Sequence, residues 1–191
     1  MKATFKPALI LFCLMTLLTG VAYPFLVTGL AQLLFPYQAN GSLVKDDSGN
    51  VVRSGLIGQA FSKPDYFWGR PSVTSPYPYN AGASGGSNLG PTNPALVNVV
   101  KERIAALQTA DPDNKAAIPV DLITASASGL DPDISPAAAY YQINRIAKLR
   151  NIDPEKLRDL VQSHTEARQF ALLGEPRVNV LVLNRALANL H

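Results

Sequence analysis

The residues of this chain best suited to chemistry lie in one stretch, Thr124-Ala125-Ser126-Ala127-Ser128-Gly129-Leu130-Asp131-Pro132. Two hydroxyls beside a glycine suit a nucleophile, a cradle for a nucleotide phosphate, or a tight loop. A nucleophile elbow needs G-x-S-x-G between a strand and a helix. Here Thr124 stands where the first glycine belongs. Gly82-Ala83-Ser84-Gly85-Gly86 has the right letters but follows "SPYPYNA", which cannot be an interior strand. A triad also needs a base. The only histidines are His164, in the third predicted helix of the body, and the terminal His191. The sequence therefore argues against a hydrolase, and no residue is assigned as catalytic.

Metal and nucleotide signatures are equally sparse. One cysteine and two distant histidines make no zinc constellation. Asp111-Pro112-Asp113 and Asp131-Pro132-Asp133 resemble the start of a calcium loop, but neither continues with the required glycine and glutamate. No metal ligand is assigned, and both read as turns flanking helices. Neither G-x-x-x-x-G-K-[ST] nor G-x-G-x-x-G occurs. "TASASGLDP" offers an anion nest ahead of a helix and nothing more specific.

The elements that would position these residues begin with an anchor. Residues 8–35 carry no charge and exceed the roughly 20 residues needed to cross a bilayer as helix. Pro24 interrupts the run, as a membrane helix tolerates when a neighbour or a threonine satisfies the freed carbonyl. A cleaved signal peptide is the alternative, since Gly20-Val21-Ala22 offers small residues. However, the apolar run continues to Phe35, well beyond such a cut, so an uncleaved anchor is expected. Lys2 and Lys6 flank one side, and no charge follows until Lys45-Asp46-Asp47. The positive-inside rule then puts residues 1–7 in the cytoplasm and the body, residues 36–191, outside. Of the 17 Lys and Arg, fifteen remain in that body against 14 Asp and Glu, too balanced and dispersed to hold nucleic acid. The body lacks cysteine, because Cys13 lies in the anchor. It is also long enough to bury roughly two thirds of its unfolded surface.

Within the body, Asn40-Gly41 and Asp47-Ser48-Gly49-Asn50 are turn signals beside "SLVK" and "VVRSGLIGQAF", which suggests a short extended pair. Asn40-Gly41-Ser42 is formally a glycosylation sequon but reads as a turn. The segment from Ser62 to Pro94 is rich in proline and glycine and has no helix or strand period. Its aromatics, Tyr66, Phe67, Trp68, Tyr77 and Tyr79, need somewhere to pack. It is expected to be an ordered loop, with Tyr66, Phe67, Trp68, Arg70, Tyr79 and Asn80 as candidate partner contacts.

Asn93-Pro94, Ser135-Pro136 and Asp153-Pro154 each place a capping residue before a proline, predicting three helix starts. The first helix carries Leu96, Val100, Ile104 and Leu107 on one face. The second carries Tyr140, Ile143 and Ala147, with Arg145, Lys148 and Arg150 near its end to suit the dipole. The third carries Leu157, Leu160 and Val161. "RVNVLVLN" reads as a strand with Val178, Val180 and Val182 on one face, and "RALANL" as a short helix. The fold class is α+β: a single membrane helix followed by one mixed extracytoplasmic domain.

The order of "QANGSL", "GLIGQAF", "YFWGRPS", "YNAGASGGSNLGPTNP", "PVDLITASASGLDPDISPAAA", "QINRIAKLRN" and "GEPRVNVLVLNRAL" spans essentially the whole chain. It resembles the C-subunit family of the bacterial Kdp potassium-transporting P-type ATPases. That resemblance implies a single-pass inner-membrane subunit needed for assembly and activity. Its implied partners are a channel-like potassium-binding A subunit, an ATP-hydrolysing B subunit and a small F peptide. The family is also described as a catalytic chaperone that raises the B subunit's affinity for ATP. On that description Ser126, Ser128, Gly129 and Gln142 would touch the nucleotide. The charge asymmetry opposes that reading, because it puts the body on the side away from cytoplasmic ATP. The expectation is a non-catalytic subunit with no cofactor of its own, ATP entering only through the complex. "TASASGLDP" is then a structural loop before a helix.

Overall fold

The computed structural model describes residues 2–45 and 48–190; Met1, Asp46, Asp47 and His191 lie outside them. The chain forms two units, divided between Ser54 and Gly55.

In the first unit, α1 (Lys2–Leu17) and α2 (Tyr23–Leu34) are joined by a π-turn over Leu18–Ala22. The cause is Pro24, which has no N–H and whose ring would crowd the carbonyl four residues back. The helix widens just before it, and the Tyr23 N–H bonds the Leu18 carbonyl, five residues back. The Thr19 hydroxyl donates to the Met15 carbonyl at 2.7 Å, one turn back and not to the carbonyl that Pro24 frees. The continuous helix Thr4–Leu34 has 31 residues, none of those in its most apolar window buried, and is long and apolar enough to cross a membrane. It starts upstream of residue 8 and includes Lys6. After α3 (Pro36–Ala39), Gly41 turns the chain at φ +85° into an antiparallel pair, β1 (Leu43–Lys45) and β2 (Val51–Ser54). The expected hairpin is present, with a register irregularity after Val44.

In the second unit all three cap-plus-proline starts are helix N-termini. Asn93, Ser135 and Asp153 accept backbone N–H bonds at the heads of α4 (Pro94–Ala110), α5 (Pro136–Arg150) and α6 (Pro154–Ser163). Asn151 closes α5 in the left-handed conformation. A small antiparallel sheet has the order β3-β5-β4, from Asp133–Ile134, Arg177–Asn179 and Thr165–Glu166. The core is centred on α5, whose Ala138, Ala139, Ile143, Ile146 and Ala147 pack with Leu157 and Val161 of α6 and with Val178.

Two expectations are corrected here. "RVNVLVLN" is not one strand: β5 stops at Asn179, and α7 runs from Val180 to Ala188. The Asn179 side chain accepts the Val182 N–H as an N-cap, and Val180, Leu183 and Leu187 then fall on one buried helical stripe. Val182, expected to share a face with Val178 and Val180, is 43% exposed while those two are buried. Local β-propensity loses to capping and core packing. The stripe of α5 also shifts by one position: Tyr140 is 38% exposed, and Ala139 takes its place inside.

Candidate functional site

The stretch from Gly55 to Asn93 forms neither helix nor strand, yet it is firmly held, because two helices present buried polar side chains to its backbone. Gln142 of α5 accepts the Trp68 N–H at 2.8 Å and donates to the Trp68 carbonyl at 3.1 Å. Asn184 of α7 does the same for Phe67, with both bonds at 2.9 Å. Each amide thus completes the peptide groups of one loop residue, as a neighbouring strand would. Arg145 donates to the carbonyls of Pro64 at 2.5 Å and Tyr66 at 3.1 Å, and to Gln142 Oε1 at 2.6 Å. Its guanidinium also lies 4.4 Å from the Trp68 ring centroid. Burial pushes it down to about 10, against the carboxylates of Asp111 and Asp65, so it stays charged at neutral pH. Arg150 stacks over Tyr66 at 4.5 Å and bonds the Asp65 carbonyl.

Lys148 and Arg150 stand in the last turn of α5, where cations suit the helix dipole, and the two arginines have a further task. Arg145 and Arg150 hold the loop, and only Lys148 reaches an exposed partner outside it, Asp113 at 3.1 Å. Phe67 is fully buried in the core and presents no surface to a partner in this structure. Tyr66, Trp68, Arg70, Tyr79 and Asn80 are half-buried and bonded within the body.

A second seam joins the far end of the loop to "TASASGLDP". The Ser126 hydroxyl accepts the Gly129 N–H at 2.9 Å, and the Ser128 hydroxyl accepts the Leu130 N–H at 3.1 Å. The Ser128 carbonyl takes the Gly85 N–H and the Ser84 hydroxyl, and the Gly129 carbonyl takes the Ser72 hydroxyl at 2.7 Å. Gly129 sits at φ +68°, where a Cβ would come within 2.5 Å of Thr74 and 2.7 Å of the Gly85 carbonyl, so only glycine fits. Arg70 pairs with Asp131 at 3.1 Å and reaches the Thr124 carbonyl. Asn80 donates to the Ser75 carbonyl and accepts the Gly82 N–H. The candidate residues Ser126, Ser128 and Gly129 thus meet the loop that carries Arg70, Tyr79 and Asn80. Gln142 is engaged elsewhere, with Trp68.

A cleft of about 400 Å³ opens beside the loop between Phe61, Trp68, Arg70, Tyr79, Arg103 and Leu107. Neither Ser126, Ser128 nor Gly129 lines it. His164 caps α6. Its Nδ1 lies 2.9 Å from the Leu160 carbonyl, which can only accept, so that nitrogen carries the proton and is no base for the Ser163 hydroxyl beside it. Among the described residues no cluster of His, Cys, Asp and Glu could hold a metal.

A profile of the KdpC family, described as K+-transporting ATPase, c chain, matches residues 5–189. The potassium-transporting ATPase KdpC subunit of Variovorax paradoxus strain S110 is 64% identical, covering 98% of this chain and 96% of that protein. Those of Methylococcus capsulatus strain Bath, 64% identical over 96% of both chains, and Dechloromonas aromatica, 60% identical over 98% and 97%, are similar. The chain belongs to the KdpC family.

In this KdpC-family chain the clamp residues Arg145 and Asn184 escaped sequence reasoning. The available signal was a polar residue inside an apolar stripe: Gln142 and Arg145 beside Ile143 and Ile146, and Asn184 in "LVLNRAL".

Tyr79 closes the seam. Its hydroxyl donates to the Arg70 carbonyl, and its N–H donates to Ser72 Oγ at 2.9 Å. Burial first, and then the Asp131 carboxylate, push the phenol from 10.0 up to about 12. A phenol whose value is raised on folding adds stability that is fully present below pH 10 and is lost as pH rises towards 12. The melting temperature of the wild type is therefore expected to fall more steeply than that of Tyr79→Phe between pH 10 and 12. Parallel curves in a pH series would exclude this linkage.

Proposed function

We propose that this KdpC-family chain is a non-catalytic accessory subunit of an ATP-driven potassium-uptake complex. It is anchored by one membrane helix, with its N-terminus in the cytoplasm and its body outside. There it docks on the channel-like potassium-binding subunit and supports assembly with the ATP-hydrolysing subunit and the small peptide. The observation that carries this reading is where the reactive-looking groups spend their bonds. The hydroxyls of Ser126 and Ser128 and both faces of the Gln142 amide are committed to the body's own backbone. Lys2 and Lys6 on one flank of an otherwise uncharged span support the orientation.

The test is topology in a Cys13→Ala background, with single cysteines replacing the exposed Ser128 and Ser48. Intact cells are treated with a membrane-impermeant thiol reagent, and permeabilised cells serve as the control. Labelling in intact cells is the expected result. Labelling only after permeabilisation would overturn the orientation and favour the catalytic-chaperone reading, in which Ser126, Ser128, Gly129 and Gln142 face ATP.

A further inference from the structure

Between β4 and β5 the chain makes a turn that its sequence is poorly suited to make. Gln169 and Leu173 bridge each other with two 2.9 Å backbone bonds, and the Leu172 N–H closes on the Gln169 carbonyl at 3.1 Å. Phe170 and Ala171, the two central residues, have φ +53° and +59°. A tight hairpin turn with positive φ at both central positions favours Asn-Gly, because a Cβ crowds the following carbonyl in that conformation. Here the positions hold a phenylalanine and an alanine. The result is an apolar tip, with Phe170 85%, Leu172 76% and Leu173 55% exposed. Phe170 is the most exposed large apolar side chain among the described residues, ahead of any in the membrane-spanning helix. A local rule broken in order to expose hydrophobic surface marks a site of use.

The base of the tip says what kind of surface covers it. Arg168 pairs with Glu175 at 2.5 Å, and Arg177 pairs with Glu166 at 2.8 Å and Asp133 at 3.2 Å. Three carboxylates therefore outweigh two guanidiniums that are already paired within the chain. A tip built to enter an anionic lipid surface keeps cations free for headgroups. An apolar centre inside a self-paired polar rim is instead the anatomy of a protein interface. We infer that the Phe170–Leu173 tip is a docking plug that inserts into an apolar socket on another subunit of the potassium-transporting ATPase. This inference rests on the accessory-subunit reading and gives it a contact surface.

The test uses the tagged full-length chain co-expressed with the other subunits of its ATPase. The double variant Phe170→Asn/Ala171→Gly supplies the residues the turn prefers, so its melting temperature should match or exceed that of the wild type. Co-purification of the other subunits should nevertheless drop at least tenfold, and Leu172→Ser should weaken it in the same direction. A photocrosslinking p-benzoylphenylalanine placed at position 170 should capture another ATPase subunit. Capture of lipid or of a second copy of this chain, absence of any adduct, or co-purification of the double variant within twofold of wild type would each overturn the plug. Failure of the wild-type chain itself to co-purify would instead sink the accessory-subunit reading, and the plug with it.

Discussion

Replacing Gln142 with leucine is expected to destabilise the body by about 3–5 kcal/mol, because the loss reaches three partners at once. The Trp68 N–H loses its acceptor, the Trp68 carbonyl loses its donor, and the Arg145 guanidinium loses its 2.6 Å contact. Leucine fills the volume but returns no bond, so the Trp68 peptide groups lose their partners inside the body and Arg145 keeps only its bonds to Pro64 and Tyr66. Gln142→Glu separates shape from bonding. A carboxylate still accepts from Trp68 and Arg145 but cannot donate to the Trp68 carbonyl, so the expected loss is smaller, about 1–3 kcal/mol. Thermal unfolding of the full chain in detergent measures both. The same variants discriminate between functions. A nucleotide-contacting Gln142 predicts an intact melting temperature with weakened ATP binding by the assembled complex. A clamp predicts a melting temperature lower by roughly 10 °C for the leucine variant, at about 3 °C per kcal/mol.

The helix starts were legible because their cause is local. A side-chain oxygen followed by proline specifies an N-terminus within three residues, and Asn93, Ser135 and Asp153 each accept the bond that this requires. The hairpin at β1 and β2 was legible for the same reason, from its flanking turn residues. The clamp was not, because its partners lie far apart in sequence: Gln142 and Trp68 are 74 residues apart, and Asn184 and Phe67 are 117. Nothing within a helical window tells a glutamine that faces water from one that completes a distant peptide. The misreading at Val178–Val182 has a different cause. Alternation and helical periodicity coincide over so short a run, and only Asn179 decides between them: it caps α7 and also donates to the Gly55 carbonyl. The aromatic loop was legible as an ordered segment and illegible in its facing. Tyr66 and Trp68 stack under cations of α5, whereas the most exposed large apolar side chains described in the second unit, Phe170 and Leu172, lie between β4 and β5, where the sequence carried no assignment.

Arg145→Met should be nearly as costly as Gln142→Leu, at about 3–4 kcal/mol, and should leave a spectroscopic signature. Methionine packs along the same path but leaves the carbonyls of Pro64 and Tyr66 without their donor and the Gln142 oxygen with the Trp68 N–H alone. It also removes the cation from the Trp68 face, worth about 0.5–2 kcal/mol at a partly desolvated site. Arg145→Lys keeps the charge, but one ammonium cannot reproduce a planar fork that meets three acceptors and a ring, so it should recover only part of the loss. Trp68 is the only tryptophan, which makes its emission a local probe of the loop. The expected result is a red shift and increased quenching in Arg145→Met well below the global unfolding transition, with Arg145→Lys between it and wild type. Unchanged Trp68 emission up to the global transition would mean that Gln142 at Trp68 and Asn184 at Phe67 hold the segment without Arg145. If the loop does loosen first, the seam at Ser72, Tyr79 and Gly129 loses its support from one end. The bonds around "TASASGLDP" would then prove to be a consequence of the clamp rather than a site in their own right.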